Sequence, residues 1–404
     1  MHQAARQRRL WLVGLLLLAP AAAQEVEAPA GDPPGFKVYS TPYYVIHTDL
    51  AGDLVGEASI RLTVMAEEYH RRTQGLSGTI RRRLPVYLFS DPGMYLAAGG
   101  VAGSAGQYDG RRLMAIISPD RPERSWATLQ HEGFHQFAHM VIRGDLPVWV
   151  NEGLAEYFGQ GIWTGDNFVT GLVPPQRLQR IKRYIQDDQI VPFLQMLTMS
   201  HPQWRGRLSG RNYDQAWSMV HFMVNADNDL RRTAMETFVN NISHGAPWER
   251  SFLQSFGRDV RGLEKHYKDW WLALGDDPTA DLHTLAVVQT LTSFLARAHS
   301  QGQQFDDAEA FLRAGQSGGL KLPADQWLPP ALLAGAVRKA QALGAWSLDV
   351  AGPRPKLVLR GADGKTFTGT FSLENGRAAN VQVLVKEAPP GPAGRPAQSQ
   401  PAGK

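Results

Sequence analysis

The chain has 404 residues, no cysteine and a formal net charge of +4. Without cysteine it can form no disulfide and carry no lipid on a cysteine, so its stability must come from a packed core, and its hydrophobic fraction of 43% is ordinary for a globular protein. Three of the 42 basic residues lie in the first ten positions; the remaining 39 face 38 acidic residues, a balance that gives nucleic-acid binding no electrostatic support.

Residues 1–23 are typical of a secretory signal peptide. A basic stretch is followed by the apolar run WLVGLLLLAP, which is too short to span a bilayer. The small residues Ala21, Ala22 and Ala23 then offer a cleavage site before Gln24. We therefore expect an exported protein, periplasmic or secreted, with no membrane anchor after cleavage; a retained anchor is the alternative. A Pro/Gly-rich spacer is predicted over residues 24–35.

Residues 36–275 are predicted to form a domain of the α+β class, with a small mixed sheet followed by a helical lobe. β-branched and aromatic content indicates strands, and apolar residues at helical spacing indicate helices. Strands are predicted at Phe36–Thr48, Leu84–Phe89 and Arg112–Ser118. Helices are predicted at Asp53–Arg72 and, as a short helix, starting at Asp91. From residue 174 to residue 274 only helices are predicted.

The segment Gly99–Gly110 contains five glycines, which indicates a mobile loop or an irregular hairpin arm. We expect the following strand, Arg112–Ser118, to lie at the edge of the sheet. An extended peptide could then add to this strand beneath the glycine-rich segment.

Three further parts are predicted after the helical lobe. Residues 276–345 are predicted to continue as a helical segment. Residues 346–387 contain alternating, strand-like runs separated by turn residues, which predicts a small antiparallel β domain. Residues 388–404 are rich in Pro, Gly, Ala and Gln, and are predicted to be disordered. None of these parts contains a catalytic constellation, so the sequence leaves their role open.

The motif HEGFH places two histidines, His131 and His135, four residues apart on a predicted helix. Side chains at that spacing share one helical face, where two imidazoles can bind one zinc ion. Glu132 lies about 100° around the helix, where it can reach a water on that metal. A helix with two solvent-facing histidines is the alternative interpretation of the motif alone.

A second segment, LPVWVNEGLAEYF, supplies the carboxylates that a catalytic zinc site needs. Such a site has three protein ligands and one open position, and Glu152 offers the third ligand from a second helix. Glu156, one turn further on, can accept the ring N–H of a ligand histidine and fix its tautomer.

Together these segments resemble the HExxH plus NExx[SA][DE] pattern of the thermolysin-like gluzincin metallopeptidases, over about residues 126–158. The resemblance implies one Zn²⁺ per chain held by His131, His135 and Glu152, with Glu132 as general base and then acid and Glu156 as the partner of a ligand histidine. PVWVNEGLAE (Pro147–Glu156) also matches the P-x-W-x-x-E-G-x-A-E pattern of an exported, largely unassigned family of bacterial peptidase-like proteins.

The same family resemblance guides the choice of an oxyanion-stabilising residue, because gluzincins commonly use a Tyr or His from the helical lobe. Tyr213 is the first candidate and His221 the second. A metzincin would need a Gly and a third His three and six residues past His135, where this chain has Ala138 and Val141. His139 matches no metal spacing and is predicted to pack or to support a ligand.

Two functions remain open at this point. The first is a zinc metallopeptidase that hydrolyses peptide or protein substrates by Glu-assisted attack of zinc-bound water. The second is a catalytically silent zinc-binding protein that acts as a binding or assembly factor. Glu132 favours the enzyme, because a structural zinc needs no base beside an open position. The sequence does not determine the oligomeric state.

Overall fold

The computed structural model describes residues 24–26, 31–72, 76, 78, 80–118, 120, 122–142, 144–206, 210–227 and 230–388. The predicted signal peptide and residues 389–404 of the predicted disordered tail lie outside these residues. The predicted α+β class is confirmed: a mixed sheet comes first, a helical lobe follows, and a second, antiparallel sheet lies near the C terminus.

The first sheet has six strands in the order β1-β2-β3-β4-β6-β5. Its central strands β3, β4 and β6 run parallel, whereas β1, β2 and β5 pair antiparallel to their neighbours. The strands are β1 (Gln24–Val26), β2 (Lys37–Ser40), β3 (Tyr44–Thr48), β4 (Leu84–Phe89), β5 (Gly106–Tyr108) and β6 (Leu113–Ile116).

The prediction of one strand over Phe36–Thr48 is wrong, because the chain reverses there into the hairpin β2–β3. Thr41 closes the turn: its hydroxyl accepts from the Tyr44 N–H at 2.9 Å, and its own N–H donates to the Tyr44 carbonyl. Pro42 between them has no N–H to offer a ladder, which favours a turn over a continuous strand.

Helices cover both faces of this sheet. α1 (Gly52–Arg72) and α3 (Pro122–Val141) pack on one face in the main core, and α2 (Pro92–Ala97) covers the other. α2 begins as predicted at Asp91, whose carboxylate caps it by accepting from the Met94 N–H at 2.8 Å.

The helical lobe contains eight helices among the described residues. They are α4 (Val148–Gly159), α5 (Pro175–Gln186), α6 (Phe193–Leu197), α7 (His201–Gly206), α8 (Gly210–Asn225), α9 (Leu230–Ser243), α10 (Trp248–Phe256) and α11 (Val260–Ala273). A small hairpin that the sequence did not predict, β7 (Ile162–Trp163) with β8 (Phe168–Val169), lies between α4 and α5.

The C-terminal part is built on α12. It comprises α12 (Ala280–Ser300), α13 (Ala308–Gln316), a 3₁₀ helix (Ala324–Gln326), α14 (Pro330–Ala340), and strands β9 (Gly344–Asp349), β10 (Lys356–Gly361), β11 (Thr366–Glu374) and β12 (Arg377–Lys386). The four strands form an antiparallel sheet in the order β12-β11-β10-β9. Within the described ranges, no helix is both long and apolar enough to cross a bilayer.

α12 packs across this second sheet, and Gly369 on β11 makes the close approach possible. A Cβ at Gly369 would lie 1.9 Å from the Thr292 hydroxyl of α12. Arg297, near the end of α12, pairs with Asp166 in the β7–β8 turn at 2.8 and 2.9 Å. The C-terminal part is therefore fixed to the residues that follow α4.

Candidate metal centre

The two histidines of HEGFH lie on one face of α3, as their spacing predicts. Their Nε2 atoms are 3.1 Å apart, and their side chains are 16% and 13% exposed, so neither ring projects freely into solvent. Two imidazole nitrogens at this distance can form an N–H···N hydrogen bond when one ring carries its proton on Nε2, and they can share a cation when both Nε2 lone pairs are free.

Glu152, from α4, completes a triangle of ligand atoms. Its Oε2 lies 3.6 Å from Nε2 of His131 and 3.6 Å from Nε2 of His135. Zn²⁺ bound tetrahedrally at about 2.0–2.1 Å separates its ligand atoms by about 3.3 Å. The observed edges of 3.1 to 3.6 Å therefore fit a zinc ion. Within the described part of the chain, these residues are the group placed to hold a metal.

The second ring nitrogen of each histidine is held by a different residue of α4. His131 Nδ1 lies 3.3 Å from Glu156 Oε1, as predicted. His135 Nδ1 lies 3.2 Å from Asn151 Oδ1, a contact that the sequence analysis missed although Asn151 directly precedes Glu152. When both Nδ1 atoms donate to these oxygens, both Nε2 lone pairs face the metal position.

The charges of the centre shift its pKa values strongly. Burial alone lowers the pKa of His131, but hydrogen bonds to Glu152 and Glu156 outweigh it and raise that pKa to about 10. Burial raises the pKa of both carboxylates, yet hydrogen bonds from His131 and further positive neighbours lower each to about 2. The two glutamates thus provide a site that attracts a cation.

Glu132 lines a cleft of about 370 Å³, and His131 is the candidate ligand that lines it as well. Its lining comprises Ser104, Ala105, Gly106, Ala127, Thr128, His131, Glu132, Glu156, Gly159, Gln160 and Tyr213. β5 lies directly above: a Cβ at Gly106 would be 2.7 Å from Thr128 Cγ2 and 3.3 Å from Glu132 Cγ. Glu132 is therefore not a ligand, but lies where it can reach a molecule in the cleft.

The two candidates for oxyanion stabilisation, Tyr213 and His221, lie in different surroundings. Tyr213, in the first turn of α8, lines the cleft, and its ring centroid is 6.5 Å from that of His131. Burial first, and then the charge of Glu152, raise the pKa of its phenol. His221 lies two turns further along α8, buried among Trp217 and Trp271, with its Nε2 3.1 Å from the Gly171 carbonyl. His221 is thus a core residue.

The prediction that Arg112–Ser118 is the edge strand is wrong. β6 (Leu113–Ile116) lies inside the sheet, because the glycine-rich segment folds back as β5 and occupies the edge. Gln107 stabilises this arm, donating to the Gly99 carbonyl and accepting from the Val101 N–H. His139 holds β5 on α3 through a 2.6 Å contact between its Nδ1 and the Tyr108 hydroxyl.

Comparison with known protein families matches part of the chain. The family model described as "Protein of unknown function (DUF1570)" matches residues 125–249. No curated protein and no solved structure matches the chain. The matched segment begins in α3, ends in α10 and contains these residues of the candidate centre: His131, Glu132, His135, Asn151, Glu152, Glu156 and Tyr213.

Proposed function

We propose that the protein is an exported zinc-dependent metallopeptidase. The observation that carries this proposal is the triangle of His131 Nε2, His135 Nε2 and Glu152 Oε2, with edges of 3.1 to 3.6 Å, next to a cleft that His131 and Glu132 both line. Three ligands with a free side toward a cleft are typical of a catalytic zinc site, whereas structural sites are closed by a fourth protein ligand.

Each side chain has a distinct task in peptide-bond hydrolysis. His131, His135 and Glu152 would hold the zinc, which when bound lowers the pKa of its water and polarises the scissile carbonyl. Glu132 accepts the proton of the attacking water and later delivers it to the leaving amine. Tyr213 donates a hydrogen bond to the developing oxyanion.

β5 supports a peptide as the substrate. Ala105, Gln107 and Asp109 direct their backbone groups toward β6, since the Ile116 N–H donates to Ala105 and the Asp109 N–H donates to Arg112. In an antiparallel ladder the alternate residues, here Gly106 and Tyr108, direct theirs outward. An extended peptide can pair with this free edge above Glu132.

Export is the part of the proposal that depends on the leader. Residues 1–23 carry the basic stretch, the short apolar run and the small-residue cleavage site of a signal peptide. We accordingly place the mature enzyme in the periplasm or outside the cell.

The proposal is tested by metal content and peptide cleavage measured on the same preparations. Wild type and Glu132→Gln should each carry about one zinc per chain, and only wild type should cleave a library of unstructured peptides. Glu249→Gln, an exposed change on α10, is the matched control and should retain activity. Stoichiometric zinc without cleavage by wild type would favour a binding or assembly factor instead, and absence of zinc would overturn the site.

A further inference from the structure

Arg177, on α5, is a buried cation beside the candidate metal centre. Its side chain is 7% exposed, and its guanidinium lies 4.3 Å from the centre of the Trp217 ring. Removing a guanidinium from water is costly unless carboxylates and hydrogen-bond acceptors replace the water. The burial of Arg177 therefore requires acceptor groups around its guanidinium.

Arg177 bridges three groups from two other helices. Its Nη1 lies 2.7 Å from Glu156 Oε2 on α4, and its Nε forms an ionic contact of 2.8 Å with Asp214 Oδ1 on α8. Its Nη2 donates to the Tyr213 carbonyl at 3.3 Å. One side chain thus joins the partner of His131 to the first turn of α8.

Both oxygens of Glu156 are occupied as a result. Oε1 faces His131 Nδ1 and Oε2 faces Arg177 Nη1. Glu156 lines the same cleft as Glu132, so a carboxylate released from Arg177 could rotate toward a metal held by His131. Arg177 keeps it directed at the imidazole.

We propose that Arg177 is a positioning residue of this centre. It holds Glu156 against His131, so that His131 presents Nε2 to a metal, and it fixes the backbone of Tyr213 relative to that histidine. The proposal depends on the proposed metal site. It assigns Arg177 no contact with substrate or metal.

Arg180 provides a matched control on the same helix. It also pairs with Asp214, at 2.7 and 3.0 Å, but its side chain is 44% exposed and none of its contacts among the described residues is with Glu156. A loss caused only by weakening the α5–α8 contact should appear in both variants, whereas a loss that acts through Glu156 should appear only at Arg177.

The test is zinc affinity of the folded metal-free protein, measured by competition with a chromophoric chelator. Loss of an outer partner of a metal ligand typically costs 10- to 100-fold in affinity. We expect a loss in that range for Arg177→Gln and wild-type affinity for Arg180→Gln. Arg177→Lys, which keeps the charge but offers a single donor group, should lose several-fold; it also replaces Arg177→Gln if that variant does not fold.

A double-mutant cycle with Glu156→Gln separates positioning from general destabilisation. If Arg177 acts through Glu156, the double variant should bind zinc no more weakly than Glu156→Gln alone. Unchanged zinc affinity in Arg177→Gln and Arg177→Lys, or fully additive losses in the cycle, would overturn the proposal while the metal site stands. Failure of the wild type to bind zinc would instead overturn the proposed function, and with it this role.

Discussion

Two residues of NEGLAE, Asn151 and Glu156, contact the two histidines whose Nε2 atoms face Glu152. Each accepts from a different ring Nδ1, at 3.2 Å from His135 and 3.3 Å from His131. The candidate ligands could be predicted from the sequence, the two histidines from their helical spacing and Glu152 from the NEGLAE segment. The contact of Asn151 with His135 could also have been suspected, because the NExx[SA][DE] pattern that this segment resembles has an Asn at that position.

The position of Arg177 could not be predicted in the same way. α5 carries Arg177, Arg180 and Arg183 within seven residues, and the sequence alone does not say which one turns inward. That depends on how α5 meets α4 and α8, which is a property of the tertiary packing.

Replacing Tyr213 with Phe tests the oxyanion assignment. Removing one oxyanion donor typically lowers kcat 10²- to 10³-fold. We expect a loss of that size in peptide cleavage, with unchanged zinc content and little change in KM, because the hydroxyl acts mainly in the transition state. Tyr184→Phe, on α5 outside the cleft lining, is the control. A Tyr213→Phe enzyme with wild-type kcat would exclude this role.

His221 should make stability depend on pH. Burial, foremost, lowers its pKa to about 4, whereas an unfolded chain has a histidine pKa near 6.5. The unfolded state therefore binds the proton first, so stability present above about pH 6.5 is lost as the pH falls toward 4. This loss amounts to about 3 kcal/mol at most.

The measurement is urea unfolding of wild type and His221→Gln from pH 7.5 to pH 4.5. The contributions of groups common to both proteins cancel when the free energy of unfolding of His221→Gln is subtracted from that of wild type. This difference should decrease as the pH falls. A stability difference that is constant over this range would show that the pKa of His221 is the same in the folded and unfolded states.

Gly153, which follows the candidate ligand Glu152 in α4, lies where α4 packs closely on α8. A Cβ there would lie 2.5 Å from the Ala216 carbonyl and 2.6 Å from Val220 Cγ2, both on α8. The glycine therefore permits the close packing of α4 on α8, the helix that carries Tyr213.

Gly153→Ala should lower the free energy of unfolding by about 2 kcal/mol, within the usual range for overpacking. Gly335→Ala is the matched control, since Gly335 is also inside a helix but has open space, and it should be neutral or stabilising by about 0.5–1 kcal/mol. Chemical denaturation measures both. Equal effects of the two substitutions would contradict the close-packing explanation.

Periodicity predicted α1 and the helical character of residues 174–274 and 276–345, but not the partner of each strand. β5 is three residues long and follows several glycines, so its local pattern carries no strand signal. It becomes a strand because β6 offers a free ladder and because Tyr108 contacts His139. The bounds of the short helices α6 and α7 were not predicted, although both lie in the range predicted to be helical, because elements of five and six residues show little periodicity.

At the scale of the whole molecule, one continuous hydrophobic core joins the first sheet, the helical lobe and the C-terminal part. It extends from Tyr44 on β3 to Val381 on β12. The predicted division between residues 276–345 and residues 346–387 follows the change in sequence pattern, and stays a prediction; α12 of the first range packs on the sheet of the second. Pattern alone does not reveal such packing.

Arg297 tests how firmly the C-terminal part is attached. It is 3% exposed, pairs with Asp166, and donates from Nε to the Gln326 carbonyl at 2.8 Å. Arg297→Met leaves Asp166 without its cation and should destabilise the protein by about 3 kcal/mol in urea unfolding. Arg313→Met, which removes an exposed pair with Glu309, should cost under about 1 kcal/mol. Similar small losses of stability in both variants would mean that the Arg297–Asp166 pair does not stabilise the contact between the C-terminal part and the β7–β8 turn.

The most direct test of the central claim is zinc K-edge X-ray absorption on the zinc-loaded full chain. The claim is that His131, His135 and Glu152 hold one metal with one position open to the cleft. The spectrum should show four nitrogen or oxygen ligands at about 2.0–2.2 Å, two of them with imidazole scattering, and should change when Glu152 is replaced by Ala. A zinc spectrum without imidazole scattering, or one unchanged in Glu152→Ala, would contradict the account.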